Sequence, residues 1–247
     1  MEKVYTHNYF LTAAECDAQR GMSLPLLVER VIETATEHAN SLHIGFDDLE
    51  RHHIGWVLSR LSVEIDRWPA VNTSYGLTTW IVDLRRLYST RAHEITDGEG
   101  NVIGRVRTIW AAIDTELRTA ADLSVLDSEA FVCPGRECEL PQVRRLAALG
   151  DDAESFKYCF RYSDIDINRH VTSRRYVELA LNCCPMEWYD ANRIIRFDIN
   201  FHHEALCGQG VEMRSRLDED GERSSLVCEL VADNVRIMAA GLDFVRR

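Results

Sequence analysis

Apolar residues recur at helical spacing between Leu24 and Leu42 in the first half of the chain. Residues three and four positions apart share one face of a helix, so this spacing predicts an amphipathic helix of about five turns. Ser23 is a candidate N-cap, Pro25 suits the first turn and Gly45 is a candidate stop signal. The predicted apolar stripe consists of Leu24, Leu27, Val28, Val31, Ile32, Ala35, Ala39 and Leu42.

Runs that alternate between apolar and polar residues predict strands on both sides of this helix. One run covers residues 5–11, and another, at residues 57–66, has apolar side chains at alternate positions. Residues 77–95 and 102–113 form two more runs, which flank the segment DGEGN at residues 97–101. Because glycine and asparagine permit the backbone of a tight turn, this segment predicts a hairpin.

The second half of the chain repeats this order of elements. A strand is predicted at residues 156–162, followed by a helix at about residues 173–184 that Pro185 ends. A further strand is predicted at residues 193–204, and the strand pairs after it turn at an Asp-Gly and an Asp-Asn dipeptide. One unit is therefore used twice, and an antiparallel sheet wrapped around its helix would bury the apolar stripe. This pattern predicts an α+β protein.

A segment of different composition separates the two halves. Proline and glycine punctuate residues 131–155, where a single short helical pattern occurs at residues 143–149. We therefore predict an N-terminal domain over residues 1–130, a connecting segment over residues 131–155 and a C-terminal domain over residues 156–247.

Overlaying the two predicted helices pairs Ser23 with Thr172, and a second overlay places the strand residues Leu61, Val63 and Ile65 on Phe197, Ile199 and Phe201. In these two registers the second half carries a histidine and a glutamate where the first half has a glycine and a tryptophan. The sequence therefore predicts a single active site, in the second half. The paired positions are Asp166 with Asp17, Asn168 with Gln19, His170 with Gly21, and Glu204 with Trp68.

Four polar residues, Asp164, Asp166, Asn168 and His170, occupy alternate positions before the second helix. Alternate residues of an extended strand share a face, so these four should point one way while Ile165 and Ile167 anchor the segment in the core. They can act together only if the chain curls as it enters the helix, whose free first-turn amides suit a developing negative charge. Asp and Asn are also common turn and capping residues, so the residues alone leave a purely structural interpretation open.

The segment SDIDINRHVTSRRYVEL, residues 163–179, resembles the signature of the acyl-acyl-carrier-protein thioesterases, a plant-type family with bacterial members. The typical segment of that family reads SDLDVNQHVNNxxY. The resemblance extends to ETATEHA at 33–39, WVLSRLSVEIDRWP at 56–69 and NFHHEALCG at 200–208. It implies a tandem double hot-dog fold, with two antiparallel sheets that each wrap a long helix. It also implies hydrolysis of fatty acyl-acyl-carrier-protein to free fatty acid and carrier protein, which ends chain elongation in fatty acid biosynthesis.

The resemblance also assigns catalytic positions. Asp166, Asn168 and His170 match the motif, and Glu204 matches the acidic residue that the family has on the later strand. Many plant members have a cysteine directly after that glutamate, whereas this chain has Ala205, so a carboxylate-centred mechanism fits better than a cysteine nucleophile. Asn168 and the helix amides would contact the thioester carbonyl. Glu204 would be the general base for water or the direct nucleophile, oriented by Asp166 and His170.

The net charge limits the classes of partner that the protein can bind, and the cysteine content indicates its cellular compartment. The formal net charge of −12 disfavours nucleic acid and anionic membrane surfaces. No apolar run approaches the roughly 20 residues that span a bilayer, and MEKVYTHNYF lacks the features of a secretory signal. The eight cysteines form no CxxC or other metal-ligand motif, so we expect free, mostly buried thiols, no metal or cofactor, and a cytoplasmic protein.

An acyl carrier protein is acidic, so a chain of this charge needs a local basic surface to bind one. Arg174 and Arg175 directly follow the catalytic segment. Arg193 and Arg196 lie on the strand that leads to the candidate glutamate. We predict that these four arginines form the docking surface, although solvated arginines unrelated to docking would give the same pattern.

Three other functions stay open at this stage. An acyl-CoA thioesterase of the same fold would act as well or better on CoA esters, and a hot-dog dehydratase would act on 3-hydroxyacyl substrates without releasing thiol. A non-catalytic acyl-binding protein would keep the pocket without turnover. The resemblance places the acyl pocket in the N-terminal half, but the sequence does not give the acyl chain length. A homodimer is also left open, since the two halves of one chain can pair with each other.

Overall fold

Ten β-strands and five α-helices form an α+β fold in the residues that the structure, a computed structural model, describes: 2–142, 144–150 and 152–247. No helix among these residues is long and apolar enough to cross a membrane. The helices are α1 (Leu24–Ser41), α2 (Phe46–Glu50), α3 (Ser128–Phe131), α4 (Ser173–Leu181) and α5 (Met186–Ala191). The strands are β1 (Val4–Phe10), β2 (Ile54–Ile65), β3 (Ser74–Leu84), β4 (Tyr88–Asp97), β5 (Val102–Asp114), β6 (Glu154–Cys159), β7 (Asn192–Phe201), β8 (Gly210–Asp220), β9 (Arg223–Ala232) and β10 (Val235–Arg246).

The chain forms two compact units, each with its own run of antiparallel strands. The first unit comprises residues 1–22 and 30–142, and its strands lie in the order β1-β3-β4-β5-β2. The second unit comprises residues 23–29 and 143–247, with the order β7-β10-β9-β8-β6. Neighbouring strands within each unit pair antiparallel, which confirms the strand arrangement predicted from the alternating segments.

Helix α1 confirms the helix predicted in the first half. Its side chains at Leu27, Val28 and Val31 are fully buried, as the apolar stripe requires. Removing each of these aliphatic groups from water stabilises the fold by about 2 kcal/mol. The helix ends at Ser41, so Gly45 is not its stop signal; it caps the start of α2 instead.

The run predicted as a strand over residues 77–95 is two strands, β3 and β4, separated by a turn at residues 85–87. No glycine or proline marks this turn, so no local signal in the sequence predicts it. The hairpin predicted at residues 97–101 is confirmed between β4 and β5. Its turn is closed by Oδ1 of Asp97, which accepts the amide of Asn101 at 2.9 Å.

Helix α4 is shorter than the predicted helix of the second half. It ends at Leu181 instead of Cys184, because the chain tightens there: the amide of Cys184 donates to the carbonyl of Leu181, three residues back, at 3.3 Å. Pro185 then caps the start of α5, a helix that the apolar spacing does not predict. The prediction of a long helix in each half is therefore right for the first half only.

The second part of the connecting segment is held by side chains from the sheet of its unit. Residues 144–149 contain no helix, so the short helix predicted there is wrong, and Val143 lies outside the described residues. Without helical hydrogen bonds, the backbone carbonyls need other donors. Arg236 on β10 supplies them, donating to the carbonyls of Leu146 and Ala147 at 3.1 and 2.9 Å.

Candidate active site

The segment before α4 is a tight loop and not an extended strand. Oδ1 of Asp166 accepts the backbone amides of Asn168 and His170 at 2.9 and 3.1 Å. The amide of Asp166 donates in turn to the carbonyl of His170 at 2.8 Å. Arg169 has a φ of +64°, the left-handed conformation that closes the loop. The chain therefore curls before the helix, as joint action of these residues requires. The hydrogen bonds of Asp166 produce this curl.

This loop exposes one of the two isoleucines predicted to anchor it. Ile165 is partly buried and pairs with Val171 in a short antiparallel bridge. Ile167 is 92% exposed, so its predicted place in the core is wrong. The alternation of faces that places it there holds only for an extended strand, and residues 166–170 form a turn.

Asp164 is a buried carboxylate that anchors the loop. It accepts hydrogen bonds from the hydroxyl of Tyr158 at 3.0 Å and from the amide of Arg161 at 2.8 Å. It also pairs with Arg175 at 2.7 Å, and its carbonyl accepts the amide of Thr172 at 2.8 Å. A buried charge needs such partners, and these join the loop to β6 and α4. The alternating pattern places Asp164 on one face with the other polar residues, so it misses this anchoring role.

His170 and Glu204 come together in the folded chain. Nε2 of His170 lies 3.2 Å from Oε2 of Glu204, and their side chains are 21% and 36% exposed. Glu204 lies in the loop after β7, which ends at Phe201, so the predicted continuation of the strand to Glu204 is wrong. The amide of Val171 donates to the carbonyl of Ala205 at 2.9 Å and thereby fixes the two loops side by side. The pair is held in place and can still reach solvent.

The N-terminus of α4 follows His170 directly. Thr172 is its N-cap, and the Thr172 hydroxyl accepts the amide of Arg175 at 3.2 Å. The other amides of the first helical turn have no helical acceptor and carry partial positive charge. Asn168 is exposed, and its side-chain amide makes no hydrogen bond within the described part of the chain. The site thus combines a carboxylate, an imidazole and several amide donors.

Tyr176 of α4, which belongs to the motif, is buried beside the site. Its ring packs edge-on against Phe160 and Phe201, with ring centroids 6.0 and 5.6 Å away. Burial raises the pKa of its hydroxyl, and the charges of Glu204 and Asp166 raise it further. Tyr176 is therefore a neutral phenol that packs next to two carboxylates.

The first unit contains the same loop without the reactive side chains. Oδ1 of Asp17 accepts the amides of Gln19 and Gly21 at 3.0 Å each, and the Asp17 amide donates to the Gly21 carbonyl at 2.8 Å. Arg20 has a φ of +66°. A Cβ on Gly21 would lie 3.6 Å from Cβ of Trp68, the residue at the position of the candidate glutamate. These matching contacts confirm the register predicted between the two halves.

Three of the four arginines predicted to dock a carrier protein lie close to carboxylates of the second unit. Arg193 is partly buried on β7 and also interacts with another residue of the chain. The positive charge of these side chains is thus largely compensated within the chain. The pairs are Arg174 with Glu178 at 2.8 Å and with Glu29 at 3.0 Å, Arg175 with Asp164 and with Glu178 at 2.7 Å each, and Arg196 with Asp198 at 2.8 Å.

Metal-ligating side chains are dispersed in this fold. Across the described ranges, no group of three or more histidine, cysteine or acidic side chains is placed to hold a metal ion. All eight cysteines lie in those ranges and are free thiols. Only Cys184 and Cys228 are buried and Cys207 is exposed, so the expectation that most are buried is wrong. The others lie in loops or near the ends of elements, where side chains are partly exposed.

Two family models match the chain. The model described as "Acyl-ACP thioesterase N-terminal domain" matches residues 2–126. The model described as "Acyl-ACP thioesterase C-terminal domain" matches residues 148–244.

Curated relatives of the chain include chloroplastic plant proteins. The acyl-[acyl-carrier-protein] hydrolase FATB2 of Cuphea viscosissima is 22% identical over 236 residues, which cover 89% of this chain and 56% of the relative. The oleoyl-acyl carrier protein thioesterase of Coriandrum sativum is 21% identical over 253 residues, which cover 96% of this chain and 68% of the relative. The chain spans about half the length of the Cuphea relative.

Solved structures share the fold over nearly the whole chain. An acyl-ACP thioesterase from Bacteroides thetaiotaomicron superposes with a TM-score of 0.89 at 25% identity, covering 98% of both chains. The 12:0-ACP thioesterase from Umbellularia californica superposes with a TM-score of 0.88 at 17% identity, covering 99% of this chain and 94% of that chain. These matches confirm the predicted hot-dog fold.

Proposed function

The chain belongs to the acyl-ACP thioesterase family, and from this we propose that it hydrolyses fatty acyl-acyl-carrier-protein to free fatty acid and carrier protein. The observation that carries the proposal is the 3.2 Å contact between His170 and Glu204 beside the N-terminus of α4. A carboxylate base, an imidazole and amide donors are the groups that acyl transfer to water requires. In this role the enzyme ends chain elongation in fatty acid biosynthesis.

Glu204 acts as the base that takes a proton from the attacking water. Its carboxylate is 36% exposed, so water can reach it, and the N–H of His170 Nε2 holds it from 3.2 Å. Asp166 fixes the main chain that carries the imidazole, since its Oδ1 accepts the His170 amide at 3.1 Å. Asp166 is therefore a positioning residue, while Glu204 meets the reacting water.

Attack of water on the thioester carbonyl places negative charge on the carbonyl oxygen. The exposed side-chain amide of Asn168 and the first-turn amides of α4 are the donors that bind this oxyanion. The leaving group is a thiolate, which is a much weaker base than an alkoxide, so it departs without a strong acid. The proton that Glu204 took from water then passes to the thiolate, and the fatty acid and the carrier thiol leave.

The two halves divide the work in this proposal. Residues 1–130 bind the acyl chain, residues 131–155 connect the domains and residues 156–247 carry the catalysis. Separate N-terminal and C-terminal family models support such a division. Eight free thiols suit a reducing compartment such as the cytoplasm.

Release of free thiol tests the proposed function, measured on acyl-carrier and acyl-CoA substrates of several chain lengths. We expect a higher kcat/KM for acyl-carrier substrates than for the matching CoA esters, with fatty acid as the second product. The reverse preference would make the protein an acyl-CoA thioesterase. Dehydration of 3-hydroxyacyl substrates, or binding of acyl chains without release of thiol, would contradict the proposal.

A further inference from the structure

Large apolar side chains stay exposed on the two loops that carry the candidate catalytic residues. Tyr162 is 91% exposed, Ile167 92% and Leu206 54%. Ile167 lies three residues before His170 in the chain, and Leu206 pairs with His170 in an isolated bridge. Single exposed apolar residues are ordinary, whereas several around one site mark a surface that another molecule covers.

The loop before α4 also carries two exposed arginines. Arg161 and Arg169 are exposed, and neither forms an ion pair within the part of the chain that the structure describes. In contrast, Arg174, Arg175 and Arg196 each lie within 3.0 Å of a carboxylate. Within the described part of this loop, uncompensated positive charge therefore lies at Arg161 and Arg169.

We propose, resting on the proposed function, that Arg161, Tyr162, Ile167, Arg169 and Leu206 form the surface that docks the acidic carrier protein. This set is called the carrier surface below. A chain with a net charge of −12 repels an acidic partner at a distance, so a productive encounter needs a local positive patch. Apolar anchors beside complementary charges are typical of the centre of a protein interface.

The carrier surface is ordered before a partner arrives. The carboxylate of Asp164 holds the amide of Arg161 at 2.8 Å, at the start of the loop. The carboxylate of Asp166 holds the amides of Asn168 and His170 at 2.9 and 3.1 Å, at its end. Little main-chain conformational entropy is then lost in this loop on docking. Because the loop ends at His170, a carrier bound to it presents its thioester next to the catalytic pair.

Two substrates with the same acyl thioester separate docking from chemistry: acyl-carrier protein and the matching acyl-pantetheine, which has no protein part. The double variant Arg161→Glu/Arg169→Asn inverts one charge and removes the other, and asparagine tolerates the φ of +64° at position 169. Ile167→Ser removes an apolar anchor. We expect each variant to lower kcat/KM for acyl-carrier protein by roughly tenfold or more, through KM, and to change that for acyl-pantetheine by less than about twofold.

Arg223→Glu is the matched control for the charge change. Arg223 is exposed and comes shortly after β8. Strand β8 is 11 residues long and leads away from the loop that contains Leu206, so Arg223 lies roughly 35 Å from that loop. This variant should keep wild-type kinetics on both substrates.

Several results would overturn the proposal. Unchanged kinetics on acyl-carrier protein in both variants would do so, and so would an equal loss on both substrates, because docking affects only the carrier. If Ile167→Ser turned a dimer into a monomer in light scattering and left carrier kinetics unchanged, the surface would be an interface between two copies of the chain. A wild-type protein that releases thiol from neither substrate would instead refute the proposed function.

Discussion

Burial beside an arginine keeps two histidines of the first unit neutral. Arg91, His38 and His93 are 5%, 0% and 1% exposed, and Nη1 of Arg91 lies 2.6 Å from Nδ1 of His38. A guanidinium only donates hydrogen bonds, so Nδ1 accepts and the proton of His38 sits on Nε2, 3.1 Å from the carbonyl of Glu2. Burial, and then the charge of Arg91, lowers the pKa of His38 to about 4 and that of His93 well below its ordinary value.

Mild acid should therefore destabilise the protein through His38. The unfolded chain binds a proton at the ordinary histidine pKa near 6.5, whereas the folded protein binds it only near pH 4, so stability is full above about pH 6.5 and falls as the pH drops toward 4. Between pH 7 and pH 5 this group contributes about 2 kcal/mol of the loss. In His38→Gln, glutamine still accepts from Arg91 but does not titrate. We expect urea unfolding at the two pH values to show a loss smaller by that amount.

An exposed histidine gives the control for this pH dependence. His52 is exposed, so His52→Gln should keep the wild-type difference in unfolding free energy between the two pH values. A His38→Gln protein that lost as much stability as the wild type would contradict the assignment of a neutral His38.

At the scale of elements, the two units contain loops of the same geometry, and comparing them distinguishes the contacts that build the loop from the side chains that can catalyse. Each loop begins with an aspartate that accepts the amides two and four residues later, and each has an arginine in the left-handed region, with φ of +66° and +64°. The loop of the second unit ends in His170, and that of the first ends in Gly21. The aspartates therefore build the loop in both units, and the side chain at its last position decides whether it can catalyse.

The matched substitutions Asp17→Ala and Asp166→Ala should cost similar stability and very different activity. Each removes a charged acceptor from two amides, a loss of about 1.5–3 kcal/mol per hydrogen bond at most. Asp166→Ala also frees the main chain that carries His170, so we expect its kcat/KM to fall by roughly 100-fold or more. Asp17→Ala should stay within about twofold. Thermal unfolding measures the effect on stability and thiol release measures the effect on activity. Equal losses of activity in the two variants would contradict the assignment of the active site to the second unit.

Elements set by local spacing could be predicted from the sequence, and those set by tertiary contacts could not. The apolar period gives α1, and turn residues give the hairpin at residues 97–101. The turn at residues 85–87 has no such residues. Ile167 is exposed because the Asp166 side chain accepts main-chain amides and turns the chain there. The pattern of apolar residues does not indicate these hydrogen bonds.

At the scale of the whole molecule, one plan is used twice and the reactive side chains occur in one copy. The motif and the overlay of the halves were enough to select His170 and Glu204, which the fold brings within 3.2 Å. The anchoring role of Asp164 could not be predicted, because it depends on burial. The division into residues 1–130, 131–155 and 156–247 stays a prediction; the compact units of the fold place residues 23–29 with the second half of the chain.

Thiol release from an acyl-carrier substrate by Glu204→Gln tests the central claim most directly. Glutamine has nearly the size of glutamate and can still bond to His170, so the fold and substrate binding should persist while the base is lost. We expect kcat to fall by roughly 10²–10⁴-fold with KM little changed. A variant that releases thiol with the wild-type kcat would contradict the assignment of this site as the hydrolase centre.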